Sequence, residues 1–260
     1  MKKNKIILMP MLVLSMLISG CNSSKFVEVT DNTKRQEAIS ALNAATKYTD
    51  DYIDATFKMK VSASILTLNF TGVIQVTGFG TDQKEMKLTV SKTTGDTMVY
   101  KFYHDGTQTY HKMYDLTFVG QTVMNASQAR TSGAVQLPSI LTPESNYNFF
   151  DSLGINSSSV SSVKQKKDKT ITTNLIPVSV EQLASVFGEA GGAIRQLPTL
   201  SSLYLGLTMN GDQKIVGMAF EAKTNYNNYD VTITMELTLK REGAPTIESP
   251  FTPEEIASYS

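Results

Sequence analysis

Two histidines, one cysteine and a knot of four lysines are the side chains whose type and spacing bear most on chemistry. His104 and His111 flank Asp105-Gly106, a dipeptide that signals a two-residue hairpin turn. In that register residue pairs sum to 211, so Tyr100 faces His111 and Phe102 faces Thr109. The two imidazoles then share a face but stand four strand residues apart along it, roughly 13 Å at about 3.3 Å per residue. That is too far for one metal ion, and two unconnected strand histidines are expected. Cys21 is the one cysteine, which excludes a disulfide framework, a zinc ribbon and a redox pair. No serine elbow, phosphate loop or calcium loop occurs. With no acid, base and nucleophile set in view, the sequence points away from an enzyme. Nothing in it calls for a cofactor or a metal.

Lys164, Lys166, Lys167 and Lys169 follow a serine-rich stretch from Asn156 to Ser162. A solvated hairpin tip is the plainer reading of such a knot; a contact for anionic headgroups or teichoic acid is the other. The whole chain of 260 residues balances 24 basic against 24 acidic groups. That balance argues against nucleic acid as a partner, which requires a basic surface to displace counterions. A hydrophobic content of 41% is that of a globular chain with a sizeable core.

The start of the chain reads as an address. Lys2, Lys3 and Lys5 precede an apolar run from Ile6 to Ser19, fourteen residues and too few to span a membrane. The run suits a secretory signal and closes on Leu17-Ile18-Ser19-Gly20-Cys21. This pentapeptide resembles the lipobox of bacterial lipoproteins. The resemblance implies that residues 1–20 are a signal peptide and that Cys21 is lipidated and becomes the mature N-terminus. It places the protein at the cell membrane, held by lipid on the extracytoplasmic face. Residues 21–32 read as a polar tether, and 33–260 as one domain. Without residues 1–20 the chain carries 21 basic and 24 acidic groups, a net charge of −3.

Periodicity supplies the elements. Thr33 with Gln36 makes a capping box, and Ala38, Ile39, Leu42 and Ala45 recur at helical spacing, predicting a helix over 33–48. Period-two alternation follows at Phe57, Met59 and Val61, again over 69–77 in a less regular pattern, and at Met86, Leu88 and Val90. A three-residue loop at 94–96 pairs Val90 with Tyr100 and Leu88 with Phe102; a two-residue turn would set the apolar set against water. Farther on, an Asn210-Gly211 turn pairs Leu205 with Val216 and Leu203 with Met218. Asn227-Asn228 pairs Phe220 with Met235 and Met218 with Leu237. Three strands thus share one apolar face, as in an antiparallel meander. Helix starts appear at Thr142-Pro143-Glu144, with Tyr147, Phe150 and Leu153 apolar before Gly154. Ser179 with Gln182 opens another, carrying Val180, Leu183 and Phe187, and Thr252-Pro253-Glu254-Glu255 a last short turn.

One face of these strands gathers Met86, Leu88, Met98, Tyr100, Phe102, Met113, Leu203, Leu205, Val216, Met218, Phe220 and Met235. Methionine adapts its shape, and a surface rich in it suits variable apolar ligands. The same face would serve equally as packed core beneath helices. These twelve residues are the candidate lining of a ligand cavity.

The order of lipobox, tether, amphipathic helix, long antiparallel meander, interrupting helices and more strands resembles the LolA-like and LppX/LprG-like lipoprotein carriers. The likeness covers roughly residues 33–242 and lies in architecture; Cys21 is the one residue that a motif carries over. It implies an α+β fold, a strongly curved antiparallel sheet or half-barrel with helices on its concave face, and a sheet–helix cavity that accepts acyl chains. The expected function is binding or shuttling of a lipid or other hydrophobic ligand by a membrane-anchored protein. A noncatalytic envelope module that binds a protein partner is the alternative.

Overall fold

The computed structural model describes residues 25–46, 50–64, 66–78, 84–118, 121–133, 149–182, 200–226 and 229–259. The apolar leader, Cys21, the start of the tether, Tyr147, Leu183, Phe187 and the Asn227-Asn228 turn lie outside these residues. So do most of the helices expected from Thr142 and from Ser179.

The chain enters through a short strand, β1 (Val27–Glu28), and a 14-residue helix, α1 (Asn32–Ala45). The cap of α1 is Asp31 rather than Thr33: its carboxylate accepts from the Lys34 amide at 2.9 Å. An aspartate caps as well as a threonine and adds a negative charge at the positive end of the helix. The helix stops at Ala45, before the expected Tyr48 boundary, where the Thr46 hydroxyl donates to the Asn43 carbonyl.

Long strands follow as β2 (Tyr52–Ala63), β3 (Leu66–Thr77), β4 (Glu85–Lys92), β5 (Thr97–Asp105) and β6 (Gln108–Met113). A small separate hairpin, β7 (Leu116–Phe118) and β8 (Gln121–Met124), leads to β9 (Ser127–Ser132). One helical turn, α2 (Phe149–Ser152), precedes the short strands β10 (Val163–Gln165), β11 (Ile171–Thr173) and β12 (Ile176–Pro177). The meander β13 (Leu200–Met209), β14 (Ile215–Tyr226) and β15 (Tyr229–Leu239) comes next, and α3 (Pro253–Ala257) lies near the C-terminus.

Among the described residues, thirteen strands form one sheet ordered β1-β10-β11-β13-β14-β15-β2-β3-β4-β5-β6-β9, with β12 beside β13. Neighbours are antiparallel throughout. The last strand of the late meander closes onto the first of the early one, Leu237 opposite Phe57 and Met235 opposite Met59. The curved sheet does not close: β1 and β9 end the order without pairing to each other. Bulges at Val90/Ser91 and Thr208/Met209 help bend it. At Gly72 a Cβ would overlap the Phe57 ring and the Thr89 carbonyl, so the missing side chain lets the ring lie against the neighbouring strand. This is the expected α+β architecture of a curved antiparallel sheet with few helices.

Two registers differ from expectation. Around Asp105 the pairs sum to 213: Tyr100 meets Met113, Phe102 meets His111 and His104 meets Thr109. The Asp105 carboxylate accepts from the Thr107 amide, its hydroxyl and the Gln108 amide, at 2.7–2.9 Å, which moves the turn to Gly106-Thr107. Hydrogen bonds to that carboxylate favour its charged form and, against the opposing effect of burial, hold its pKa below the ordinary value. Around Asn210, Leu205 meets Phe220 and Leu207 meets Met218, replacing Leu205–Val216 and Leu203–Met218. There the Asn210 carboxamide accepts from the Asp212 and Lys214 amides and builds a longer loop. Val216 falls within the bulge, and Ile215, 2% exposed, takes the core place opposite Met209. The other expected pairs are present: Val90 with Tyr100, Leu88 with Phe102, Phe220 with Met235 and Met218 with Leu237.

Candidate functional site

Ten of the twelve candidate residues sit on the sheet face that α1 covers; Met98 and Val216 lie at the two bulges. Three neighbouring rows can be followed across it. Leu205, Phe220, Met235, Met59 and Phe70 are successive partners. Leu207, Met218, Leu237, Phe57, Gly72, Val90, Tyr100 and Met113 form the next row. Leu239, Ala55, Ile74, Leu88, Phe102 and His111 form the third. Because side chains alternate across a strand, each row presents its members to the same side.

Packing divides this face. In one part Ala38, Ile39 and Leu42 of α1 join Ile53, Val76, Leu205, Leu207, Met209, Ile215 and Leu239 in a buried cluster. Phe150 of α2 and the adjoining Leu153, with Ile155, Val160 and Val163, belong to it as well. Met86, Met218 and Phe220 lie at its boundary, partly buried against it. In the other part Leu88, Val90, Tyr100, Phe102, Met113, Met59 and Met235 are half-buried and outside that cluster. Burial raises the pKa of the Tyr100 phenol.

The twelve candidates therefore do not act as one group. Leu203 and Leu205 are buried, Leu205 in the cluster beneath α1, while Leu88, Tyr100, Phe102, Met113 and Met235 share the half-buried part. Met98 is shifted by the bulge to pair with Ser91, whose hydroxyl donates to the Met98 sulfur at 3.8 Å. Sequence reasoning missed Leu207 and Ile215 as core. The Asn210 loop that sets their register leaves no mark in the hydrophobic pattern.

His104 belongs to this face too. It is 1% exposed, opposite Met86 and Thr109; Nδ1 lies 3.0 Å from the Thr109 hydroxyl, and buried Nε2 has no hydrogen-bond partner among the described residues. His111 is its diagonal neighbour, an offset of about 7–8 Å and shorter than the separation expected from the Asp105-Gly106 turn. Among the described residues no group of three or more His, Cys, Asp or Glu side chains comes together to hold a metal.

The opposite face carries a second small cluster. Tyr110 packs with Phe251 and Tyr259, and the Tyr259 hydroxyl donates to the His111 carbonyl at 3.1 Å. The start of α3 is fixed by a capping box in which the Glu255 amide donates to the Thr252 hydroxyl. Glu255 also accepts from Lys101 at 3.1 Å and Lys112 at 2.9 Å. Burial alone would raise its pKa, but hydrogen bonds from Lys112, the Thr252 amide and Lys101 outweigh it, leaving the carboxyl at about 2. A separate groove of about 370 Å³ on this face is lined mainly by Thr56, Lys58, Thr71, Thr89, Glu236 and Thr238.

No family model and no curated protein matches the chain. Solved structures similar to it include LprF from Mycobacterium bovis, with a TM-score of 0.36 and 12% identity over 84% of this chain and 98% of that one. The LolA superfamily protein NE2245 from Nitrosomonas europaea gives 0.27 and 10%, over 79% of this chain and 94% of that one. Rv2717c from M. tuberculosis gives 0.28 and 7%, over 81% and 100%. At these values the strand order and register, rather than the likeness, carry the description of the fold.

Proposed function

We propose that this chain is a noncatalytic protein, anchored through Cys21 at the extracytoplasmic membrane face, that binds or shuttles a lipid or other hydrophobic ligand against its sheet. The carrying observation is the half-buried set Leu88, Tyr100, Phe102, Met113 and Met235, large apolar side chains on the same face as a fully packed core. An acyl chain exposed to water is disfavoured by about 0.8 kcal/mol per CH₂, so a carrier gains by covering it. A face that can receive a chain without breaking ladder hydrogen bonds does this with the sheet intact.

Intact mass of the protein purified from bacterial membranes reads the anchor, expected as a diacylglyceryl adduct on a chain beginning at Cys21. Uptake of a fluorescent fatty acid reads the site. Saturable uptake near one per chain supports the proposal; an unmodified chain overturns the anchor, and absent uptake overturns the carrier.

The open edge at β9 favours a second reading. Ser127–Ser132 pairs with β6 on one side, ends the sheet order among the described residues and is mostly exposed. A partner protein could add a strand there. Co-purification that is lost on replacing Ala129 with proline, with lipid uptake absent, would select that reading.

A further inference from the structure

β1 lays the first described residues against the lysine hairpin. Val27 pairs with Gln165 and Glu28 with Lys164, and the Val29 amide donates to the Val163 carbonyl at 2.8 Å. β10 pairs with β11, which places Lys166, Lys167 and Lys169 on the hairpin tip and Lys164 within β10 itself. The Lys166 amide donates to Thr170, and the Asp168 carboxylate accepts from the Thr170 amide. The Lys166 ammonium sits 4.5 Å from the centre of the Phe26 ring. A groove of about 450 Å³ runs between the two segments, lined by Lys25, Lys34, Lys166 and Lys167 with Glu28 and Asp31.

This edge is electropositive on a chain that is acidic without its leader. Residues 25–34 and 163–173 carry Lys25, Lys34, Lys164, Lys166, Lys167 and Lys169 against Glu28, Asp31 and Asp168, an excess of three positive charges within a net of −3 for residues 21–260. The three acids are already engaged: Glu28 accepts from the Ser162 hydroxyl, Asp31 caps α1 and Asp168 holds the turn. None of the six lysines forms an ion pair among the described residues. Val27, in their midst, is 67% exposed.

We infer that this edge, β1 with the β10–β11 hairpin, is a docking surface for anionic lipid headgroups. The inference rests on anchoring through Cys21. Lys25 follows Cys21 by four residues, a reach of at most about 14 Å even fully extended. A lipid on Cys21 therefore holds Lys25, and the lysines grouped around it, close to the headgroups. Each lysine near an anionic surface strengthens attachment by about fivefold at low salt. The net charge of the domain does not oppose this, because screening makes the local distribution decisive. The docked edge also orients the sheet, with β1 toward the bilayer and β9 at the other end of the strand order.

The test uses the membrane-purified full chain on vesicles of phosphatidylcholine alone or with 30% phosphatidylglycerol. Flotation reads anchoring, and amide hydrogen exchange over residues 163–173 reads docking. The chain is expected to float with both, with exchange at the hairpin at least threefold slower on the anionic vesicles. The K164Q/K166Q/K167Q/K169Q variant is expected to float equally and lose that difference, as is the wild-type chain in 0.5 M salt. Flotation with equal exchange on both vesicles overturns the docking surface and leaves the anchor standing. Failure to float on either overturns the anchor and this orientation with it. Protection by dissolved polyphosphate but not by vesicles assigns the lysines to a soluble polyanion and also overturns the proposal.

Discussion

The two parts of the inner face have the same kind of side chain and opposite fates. Beneath α1, Leu205 and Leu207 are each 1% exposed, packed against Leu42 and its neighbours on the helix. A few strands along, Leu88, Phe102 and Met113 point the same way and stay half-buried. Strand alternation decides which side a residue faces; what lies opposite decides whether it becomes core. The first part is where stability should reside, the second where a ligand would find contacts left to make.

The largest effect expected from this contrast is at Leu205. Leu205→Ala removes a fully buried side chain from the packed part and should cost about 2–5 kcal/mol, whereas Leu88→Ala, half-buried, should cost about half as much or less. Urea unfolding of both variants reads the difference, and equal costs would break the division. Gly72→Val drives a side chain into the Phe57 ring and Thr89 backbone; a loss of about 1–3 kcal/mol is expected from the overpacking. Thermal unfolding checks it, and Phe57→Ala in the same chain should recover part of the loss.

Ligand uptake is the sharper probe of the half-buried part. Leu88→Phe should weaken fatty-acid uptake about tenfold, or about 1.4 kcal/mol, while Thr71→Val on the opposite face leaves it unchanged. Equal weakening by both would remove the inner face as the site. The smallest effect is expected at α3 on the opposite face, where Glu255 meets Lys101 and Lys112. The lowered pKa of Glu255 makes its contribution complete above the ordinary value of 4.5 and lost as pH falls toward about 2. Because the group is partly exposed, about 1 kcal/mol is at stake. Glu255→Gln should flatten the fall in melting temperature over that range while leaving fatty-acid uptake near neutral pH intact.

The apolar face was legible in the sequence because the strand period is two and most of its residues are Leu, Met, Phe or Val. Register was legible only where an error would have changed the face. The loop at 94–96 is such a case, since a slip of one residue would have turned Leu88 and Val90 outward. At Asp105 and Asn210 the slips are by two and four residues, which the apolar pattern cannot distinguish. Their cause is a side chain that binds its own turn. Joining of β15 to β2 has no local signal, because the partners lie at opposite ends of the chain. The α3 cap was legible from Thr252-Pro253-Glu254-Glu255, but its landing place on Lys101 and Lys112 was not. Nor was the division of the inner face, which depends on what packs across from it.

Photocrosslinking with a diazirine fatty acid, followed by peptide mapping of the full chain, reads which face holds the ligand. Saturable adducts are expected on the strands carrying Leu88, Phe102 and Met113, competed away by unlabelled fatty acid. Adducts confined to the Thr71 and Thr89 face, or labelling that unlabelled fatty acid does not compete, would contradict this expectation.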